Sequence, residues 1–315
     1  MYYLGIDLGG TNIAVGIVDE NLKLVRKGKV PTGAERENEA VIRDMADLCQ
    51  RLLAEEGISL DEVAYAGIAT PGIADPDTGV VVYSCNLHFH NFPIAKTLQK
   101  YLPVKKVYVA NDANAAALGE ATCGSAKGIA DVVMVTLGTG VGGGVVIDHK
   151  ICAGFNKAGS ELGHMVIVAN GEPCGCMRRG CFEAYSSATA LVRMTREKMR
   201  AAKDSIMWQA APTLDAVDGR TAFDASRKGD VAAKEVVDTY IYYLACGLTN
   251  LINIFQPEVL CIGGGICGEG EYLLAPLRAI IEREQYSRDM DKRTELRVAS
   301  LGNDAGILGA AALGL

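Results

Sequence analysis

The sequence predicts an α/β protein whose sheets are covered by helices, and three observations support that prediction. Hydrophobic residues make up 49% of the 315 residues and charged residues 22%, as in ordinary globular proteins with a substantial core. Strand-like apolar runs alternate along the chain with segments of helical periodicity. Residues 3–19 and 132–148 share one pattern, an apolar strand followed by a glycine-rich turn and a second apolar strand.

The individual elements follow from local patterns. Residues 37–56 place their apolar side chains on one side, as an amphipathic helix does. Residues 63–70 form an apolar run that ends at the turn signal Thr70-Pro71-Gly72, which is typical of a strand. The later patterns predict a strand over 104–111, an alanine-rich helix over 113–121, a long helix over about 231–255 that Pro257 closes, and a strand over 258–262.

The charge balance and the N-terminal sequence limit the partners and the compartment. The net charge of −7 disfavours a nucleic-acid partner, which needs a basic face. The opening MYYLGIDLGG has no basic segment and no cleavage site, so no signal peptide is predicted. The uncharged stretch 239–255 is too short to span a bilayer comfortably and is predicted to be a buried helix. We therefore expect a cytoplasmic protein without a nucleic-acid or membrane partner.

Seven of the ten cysteines occur singly among apolar residues. The chain is too long and too rich in core residues to need a disulfide scaffold. We expect these seven to be buried, reduced thiols in a reducing compartment. They are Cys49, Cys85, Cys123, Cys152, Cys246, Cys261 and Cys267.

Three glycine clusters follow apolar runs: DLGGTN at 7–12, TLGTG at 136–140 and VLCIGGGI at 259–266. Glycine is needed where a turn requires positive φ or a close backbone approach. Backbone amides at such turns form anion nests suited to phosphate, although each cluster alone is equally compatible with an ordinary tight turn. No lysine follows as in a Walker A loop. Together the clusters predict a bound nucleoside triphosphate.

Asn111 and Asp112 stand where a predicted strand ends and a helix begins. Ligands collect at that edge of open α/β sheets, but an aspartate there is also a common helix N-cap. Glu161 and His164, three apart, share one face if their segment is helical, and Glu183 follows two residues after the last cysteine of the next motif. Each of these three is also compatible with an ordinary polar side chain.

His164, Cys174, Cys176 and Cys181 have the ligand types and spacing of a zinc site. One imidazole and three thiolates complete a closed tetrahedral site, which is structural because catalytic zinc keeps an open position. A zinc hydrolase or deaminase would need a glutamate in H-x-E spacing, whereas Met165 and Val166 follow His164. The alternative is four residues in a loop without a metal.

The glycine turns, the Asn-Asp pair, Glu161-Leu-Gly-His164 and the Cys-x-Cys-x4-Cys-x-Glu run together resemble the ROK family of sugar kinases and sugar-responsive repressors. Within the family the resemblance is strongest to the bacterial glucokinases. It implies an actin-like, ribonuclease H-like fold of two domains with a cleft. It also implies ATP-dependent phosphorylation of a hexose at the 6-hydroxyl, with glucose giving glucose 6-phosphate, Mg²⁺ as a cofactor, structural Zn²⁺ and a homodimer.

The resemblance implies two domains. The smaller comprises residues 1–112 and about 300–315 and carries the first phosphate loop. The larger comprises residues 113–299 and carries the zinc site and the second phosphate loop. The resemblance implies these roles: Asp112 as general base for the sugar hydroxyl; Asn111, Glu161, His164 and Glu183 as sugar ligands, with Gly72 and Asn86 as further contributors; Gly9, Gly10, Thr11, Asn12, Gly138, Thr139 and Gly140 as phosphate ligands; Asp7 to orient Mg²⁺; and Gly264 and Gly265 near the adenosine. His164 would bind zinc through one ring nitrogen and face the sugar with the other.

Two alternatives and one departure accompany the resemblance. Another hexose (an N-acetylhexosamine, fructose or allose) is the nearer alternative, and a non-catalytic sugar-sensing regulator is the other. The regulators carry a helix-turn-helix domain ahead of the first glycine turn, for which the ten residues from Met1 leave no room, so we expect an enzyme. Met177 stands where the family usually has glycine; if that position needs positive φ, methionine costs conformational energy.

Overall fold

The structure, a computed structural model, describes residues 1–315 and has mixed α/β architecture. Its strands are β1 (Tyr2–Leu8), β2 (Asn12–Asp19), β3 (Leu24–Pro31), β4 (Val63–Thr70), β5 (Ile73–Asp75), β6 (Val80–Ser84), β7 (Phe89–Phe92), β8 (Val107–Asn111), β9 (Val132–Leu137), β10 (Val141–Ile147), β11 (Lys150–Ile151), β12 (Val259–Gly263) and β13 (Glu295–Val298). Its α-helices are α1 (Asn38–Glu56), α2 (Ile94–Tyr101), α3 (Asp112–Cys123), α4 (Glu183–Ser186), α5 (Ala188–Ala201), α6 (Met207–Ala210), α7 (Thr221–Arg227), α8 (Val231–Phe255), α9 (Glu271–Glu284) and α10 (Ala305–Ala312). Short 3₁₀ helices cover Leu60–Glu62, Leu162–His164, Leu214–Ala216, Gly265–Glu269 and Gly302–Asp304.

The first five-stranded sheet has the strand order β3-β2-β1-β4-β8. Strands β1, β2 and β3 pair antiparallel, whereas β4 pairs parallel with both β1 and β8. Asp7 is paired with Ala69, and Thr70 with Asn111, near the carboxyl ends of the three parallel strands. The register therefore brings Asp7 and Asn111 to the same edge of the sheet, where ligands bind in open α/β sheets.

Two further sheets complete the strand arrangement. The second five-stranded sheet has the order β11-β10-β9-β12-β13, with β12 and β13 parallel. A small antiparallel sheet, β5-β6-β7, follows the turn after β4. The glycine turn predicted in 3–19 joins β1 to β2, and the one predicted in 132–148 joins β9 to β10, so both strand-turn-strand predictions are confirmed.

The chain divides into two compact units. The first unit comprises residues 1–134, 144–160 and 299–315, and the second comprises residues 135–143 and 161–298. Helix α3 packs against α10 and so belongs to the first unit, beyond the boundary that we predicted near Asp112. That boundary rests on the repeated strand-turn-strand pattern and on the family resemblance, and it stays a prediction.

In the first unit, α1 and α10 cover the sheet. Helix α1 buries Met45, Leu48 and Leu52 in the core and ends at Gly57, whose left-handed backbone terminates it. The hydroxyl of Tyr65 on β4 donates to the Ala311 carbonyl of α10 at 2.6 Å. These contacts fix α10 against the strands that lead to the sheet edge.

A buried carboxylate ties α3 to the chain before α10. Glu120 is fully buried, and its oxygens accept from the Leu301 amide at 2.8 Å and from the Ser125 amide at 2.7 Å. A buried charge is tolerated only when hydrogen bonds replace its lost hydration, which these amides do. The contact holds the helix that begins at Asp112 in a fixed position.

In the second unit, α8 is the long central helix. The side chain of Tyr240 on this helix is fully buried, and its hydroxyl donates to the Ser186 carbonyl at 2.7 Å. Phe182 packs against Gly247 of the same helix. The helix ends at Gln256, which adopts the left-handed conformation before Pro257. No helix of the chain has both the length and the hydropathy that spanning a bilayer requires.

The predicted helices and strands occur with small shifts in their ends. The helix predicted over 37–56 is α1, and the one predicted over about 231–255 is α8. The strand predicted over 104–111 begins only at Val107, because Lys105 and Lys106 precede the buried part of β8.

The prediction that all seven isolated cysteines are buried is wrong for four of them. Cys85 and Cys152 are exposed and Cys123 and Cys246 are partly exposed, whereas the other three are buried. Cys85 lies in the turn after β6, and Cys152 follows β11, so apolar sequence neighbours at these positions do not imply a core location.

Candidate functional site

The first glycine turn joins β1 to β2 and exposes two backbone amides. The Gly9 amide closes the turn on the Asn12 carbonyl at 2.9 Å. The amides of the exposed residues Gly10 and Thr11 have no acceptor within the protein. Two adjacent unused N–H groups at an exposed turn form an anion-binding nest.

The carbonyls of this turn are bonded by one residue that the sequence did not single out. The Thr32 hydroxyl donates to the Gly9 carbonyl at 2.6 Å, and the Thr32 amide donates to the Thr11 carbonyl at 2.9 Å. Thr32 is fully buried at the end of β3. It is more than twenty residues away in sequence, so no local pattern indicates its role.

The second glycine turn joins β9 to β10 and is one residue tighter than the first. The Gly138 amide closes it on the Gly140 carbonyl at 3.0 Å, and the amides of Thr139 and Gly140 have no acceptor within the protein. The start of α5 bonds its carbonyls, from the Ala188 amide to Gly138 at 2.9 Å and from the Thr189 hydroxyl to Thr139 at 2.7 Å. Thr189, like Thr32, was missed from the sequence because the contact spans fifty residues.

The third cluster lies beside the second turn in the second unit. Gly264 has a φ of 103°, and a Cβ there would be 2.1 Å from the Leu137 carbonyl oxygen, so only glycine fits. A 3₁₀ helix begins at Gly265. Of the glycines that form the bends of the three clusters, only Gly264 has a positive φ; the other two turns use glycine without left-handed backbone.

Asn111, not Asp112, is the N-cap of α3. The Asn111 side-chain oxygen accepts from the Ala113 amide at 2.9 Å and from the Asn114 amide at 3.2 Å. Its side-chain nitrogen donates to the Gly72 carbonyl at 3.1 Å. The capping role considered for Asp112 therefore belongs to its neighbour, and an Asp112 carboxylate oxygen also accepts from the Ala113 amide, at 2.8 Å.

Asp7 and Asp112 form an acidic pair in the first unit. Burial, with a smaller contribution from the Asp112 charge, raises the pKa of Asp7 to about 6. Burial likewise raises the pKa of Asp112 above its usual value. No lysine or arginine is paired with either carboxylate. Two close carboxylates without a cationic side chain suit a divalent cation, whose charge would favour their ionised forms.

Gly72 and Asn86 belong to the same unit. Gly72 has a φ of 97°, and a Cβ there would be 2.1 Å from the Tyr83 carbonyl oxygen, so the turn after β4 requires glycine. Asn86 is exposed, and its Cβ lies 3.4 Å from the position that a Cβ on Gly10 would occupy. The first unit thus places Asn86 beside the first glycine turn.

Glu161, His164 and Glu183 lie in the second unit. Leu162–His164 is a 3₁₀ helix with Glu161 directly before it, and the His164 amide donates to the Glu161 carbonyl at 3.0 Å. Because Glu161 has φ −74° and ψ 63° and stands outside this helix, the shared helical face of Glu161 and His164 stays a prediction. One Glu183 oxygen accepts from the Val141 amide at 3.0 Å, at the end of the second glycine turn.

The structure brings the four predicted metal ligands together. Their ligand atoms all lie within 4.8 Å of one another. The Cys174 sulfur is 3.6 Å from His164 Nδ1, and the Cys176 and Cys181 sulfurs are 3.6 Å apart. Ideal zinc bond lengths give tetrahedral edges of about 3.6 Å between sulfur and nitrogen and about 3.8 Å between two sulfurs. The cluster therefore fits a closed tetrahedral ion, with Nε2 of His164 left over.

Met177 lies at the tip of this cluster and has a φ of 68°. The backbone at this position is therefore left-handed, which we anticipated because the family usually has glycine there. Its amide donates to the Cys174 carbonyl at 3.0 Å, and its side chain is 96% exposed. The side chain gains nothing from packing, so the backbone cost of about 1 kcal/mol or more is not offset locally.

The chain is similar over nearly its whole length to proteins of one family. The sequence model of the ROK family matches residues 3–315. A glucokinase of Thermotoga maritima is 40% identical over 311 residues, which cover 98% of this chain and 96% of that protein.

Two crystal structures share the fold. A ROK family glucokinase from Streptomyces griseus, in complex with glucose and AMPPNP, superposes with a TM-score of 0.79 at 32% identity and covers 99% of each chain. A ROK hexokinase from Thermus thermophilus superposes with a TM-score of 0.80 at 34% identity, covering 99% of this chain and 97% of the other. The chain has the actin-like ATPase fold of these structures, which confirms the predicted fold class.

We expect Asp7→Asn to stabilise the protein at pH 7.5 in the presence of EDTA. The folded-state pKa of Asp7, about 6, exceeds the usual value of 3.8, so folding favours the protonated carboxyl. The destabilisation is absent below pH 4, grows as the pH rises towards 6 and is complete above it. The variant should gain about 1–3 kcal/mol at pH 7.5 and almost nothing at pH 4, measured by urea unfolding. The exposed Asp289→Asn is the control; an equal gain at both pH values would contradict the burial argument.

Proposed function

The chain belongs to the ROK family, and from that premise we propose that it catalyses the ATP-dependent phosphorylation of glucose at the 6-hydroxyl. The observation that carries the proposal is the similarity to the Thermotoga maritima glucokinase, 40% identity over 98% of this chain. The geometry agrees, because each unit presents one glycine turn with two unused amides, and phosphoryl transfer depends chiefly on positioning and charge stabilisation.

The first unit supplies the general base in this proposal. Asp112 accepts the proton of the sugar 6-hydroxyl while that oxygen forms its bond to the γ-phosphorus and the bond to the β-phosphate oxygen breaks, which releases ADP. Its raised pKa makes it a stronger acceptor than an exposed aspartate. Asn111 holds the helix start and, with Gly72 and Asn86, contributes to sugar binding. The amides of Gly10 and Thr11, with Gly9 and Asn12, cradle phosphate.

The second unit supplies the remaining sugar and nucleotide ligands. The carboxylates of Glu161 and Glu183 accept from ring hydroxyls, and the Nε2–H of His164 donates to a ring oxygen when Nδ1 binds the metal. The amides of Thr139 and Gly140 bind phosphate beside Gly138. Gly264, which lies against the Leu137 carbonyl, and the following Gly265 contact the adenosine.

Two metal ions belong to the proposal. Asp7, which has no cationic side chain beside it, would orient Mg²⁺, as the family resemblance implies; when bound, Mg²⁺ would neutralise phosphate charge. The distances among His164, Cys174, Cys176 and Cys181 fit Zn²⁺. Zinc would leave no open coordination position and would fix the tautomer of His164, so we assign it a structural role.

We also propose that the chain acts as a homodimer in a reducing compartment, the cytoplasm. No disulfide joins any two of the ten cysteines, which supports the compartment. Exposed apolar side chains in the second unit, Tyr242, Ile254, Tyr286 and Met290, support association with a second copy. Light scattering of the purified protein tests the dimer.

The substrate assignment is tested with a panel of sugars. Glu161, His164 and Glu183 suit an uncharged polyhydroxylated ring, and a site that bonds particular hydroxyls discriminates strongly against analogues that leave its polar groups unpaired. We expect kcat/KM to be highest for glucose, with Mg²⁺ required and phosphate added at the 6-position. At least tenfold higher efficiency with an N-acetylhexosamine, fructose or allose would overturn glucose but not the kinase. Parallel reactions with ADP and polyphosphate identify the donor.

The general base is tested with Asp112→Asn. The variant keeps the shape of the side chain and the hydrogen bond to Ala113, so folding and binding of an ATP analogue should be unchanged. Because general-base catalysis contributes about 10²–10⁴-fold, kcat should fall by that order. Asn111 provides the helix cap, so a helix-terminal role alone predicts little loss of kcat. A kcat within a factor of a few of the unaltered enzyme would reject Asp112 as the base.

The zinc assignment is tested with Met177→Gly and Met177→Ala. Both variants remove the exposed side chain, but only glycine relieves the left-handed backbone at φ 68°. We expect one zinc per chain by elemental analysis, and about 1 kcal/mol more stability in the glycine variant than in the alanine variant. Zinc release to a chelator should be slowest from the glycine variant. Active protein without zinc would refute the metal site.

A further inference from the structure

The two glycine turns are anchored in the same way by residues remote in sequence. In the first turn the Thr32 hydroxyl bonds the Gly9 carbonyl at 2.6 Å. In the second turn the Thr189 hydroxyl bonds the Thr139 carbonyl at 2.7 Å. Thr32 comes from the end of a strand and Thr189 from the start of a helix, so the shared arrangement does not follow from a shared local fold.

Each of these bonds determines the direction of an unused amide. The Gly9 carbonyl and the Gly10 N–H belong to one peptide plane, as do the Thr139 carbonyl and the Gly140 N–H. In a trans peptide the C=O and N–H bonds point in opposite directions, and no peptide bond of this chain is cis. A hydroxyl that holds the carbonyl on one side therefore directs the N–H of the next residue to the other side.

Neighbouring hydrogen bonds show which backbone amides of the second turn are free to bind an anion. The Ala188 amide holds the Gly138 carbonyl at 2.9 Å and so directs the Thr139 N–H in the same manner. The next amide beyond the turn, Val141, is already bonded to Glu183 at 3.0 Å. The unused donors of the second turn are thus Thr139 and Gly140, and both have an anchored carbonyl on the other side of their peptide.

An unanchored peptide would lose this directionality. Rotation of the plane by a large angle would replace the outward N–H with a carbonyl oxygen, which repels phosphate. Preorganised donors stabilise charge more effectively than donors that must reorient first. Each threonine hydroxyl has one proton, which it gives to the carbonyl, so it has none left to donate to a phosphate oxygen.

We propose that Thr32 and Thr189 are positioning residues, whose hydroxyls orient the Gly10 and Gly140 amides towards the phosphates of ATP. The inference rests on the proposed function, which identifies the bound anion as the phosphates of ATP. It gives the two threonines a role in nucleotide affinity and turnover rather than in sugar binding. Valine at either position retains the shape of threonine and removes the hydroxyl, whereas serine retains the hydroxyl.

The experiment compares Thr32→Val and Thr189→Val with Thr32→Ser and Thr189→Ser in the full-length protein. Loss of one hydrogen bond of ordinary strength should weaken binding of AMPPNP, measured by calorimetry with Mg²⁺ and without sugar, by about three- to tenfold. KM for ATP should rise by a similar factor, KM for glucose should stay within twofold, and the serine variants should recover most of the affinity.

Three results would overturn the inference: unchanged AMPPNP affinity in any valine variant that folds, equal losses in valine and serine variants, or an equal rise in KM for both substrates. Thr189 is exposed, so Thr189→Val decides the question even if the buried Thr32→Val fails to fold. A wrong proposed function would give a different result, because the unaltered protein would then not phosphorylate sugar. The inference about the two threonines is tested separately, by the difference between the valine and serine variants.

Discussion

The opposed directions of C=O and N–H within a trans peptide constrain both glycine turns of this protein. A turn can offer its amides to an anion only if its carbonyls face elsewhere and find donors there. Thr32 supplies two donors to the first turn, and the start of α5 supplies two to the second. Thr32, directly after β3, and the start of α5 therefore support the proposed anion sites by bonding the turn carbonyls. The residues around each turn thus supply hydrogen-bond donors to its carbonyl oxygens.

The acidic pair Asp7 and Asp112 of the first unit costs stability instead of adding to it. The sheet register brings Asp7 to the edge where α3 begins with Asp112, and burial raises the pKa of both carboxyls. Ionising Asp7 in the folded protein costs stability that an asparagine would not cost. Asn111 carries out the ordinary structural task of capping α3, which leaves Asp112 available for chemistry. Glu120, with its amide partners, fixes the other end of the same helix. In the proposed mechanism, the structural contacts of this helix start come from Asn111 and Glu120, and the base is a different residue, Asp112.

Sequence patterns were sufficient for the features that are local in the chain. Periodicity predicted α1 and α8, the glycine clusters predicted the two hairpins, and ligand spacing predicted the four-residue metal cluster that the structure assembles. The anchoring threonines were not predictable, because their partners lie 23 and 50 positions away and threonine is common at strand ends and helix starts. The exposure of Cys85 and Cys152 was missed for a related reason, since burial depends on tertiary neighbours rather than adjacent residues. The positive φ at Met177 was anticipated only by comparison with a family in which glycine is usual.

The proposed zinc site would account for a methionine in a left-handed turn. A non-glycine residue at such a φ costs about 1–3 kcal/mol. Structural zinc contributes about 10–16 kcal/mol to the folding of small zinc-binding segments, several times that cost. With the ion bound, the segment from Cys174 to Cys181 therefore tolerates a backbone conformation that an isolated loop would abandon. The exposed side chain of Met177 experiences no packing constraint, so only the backbone term opposes it.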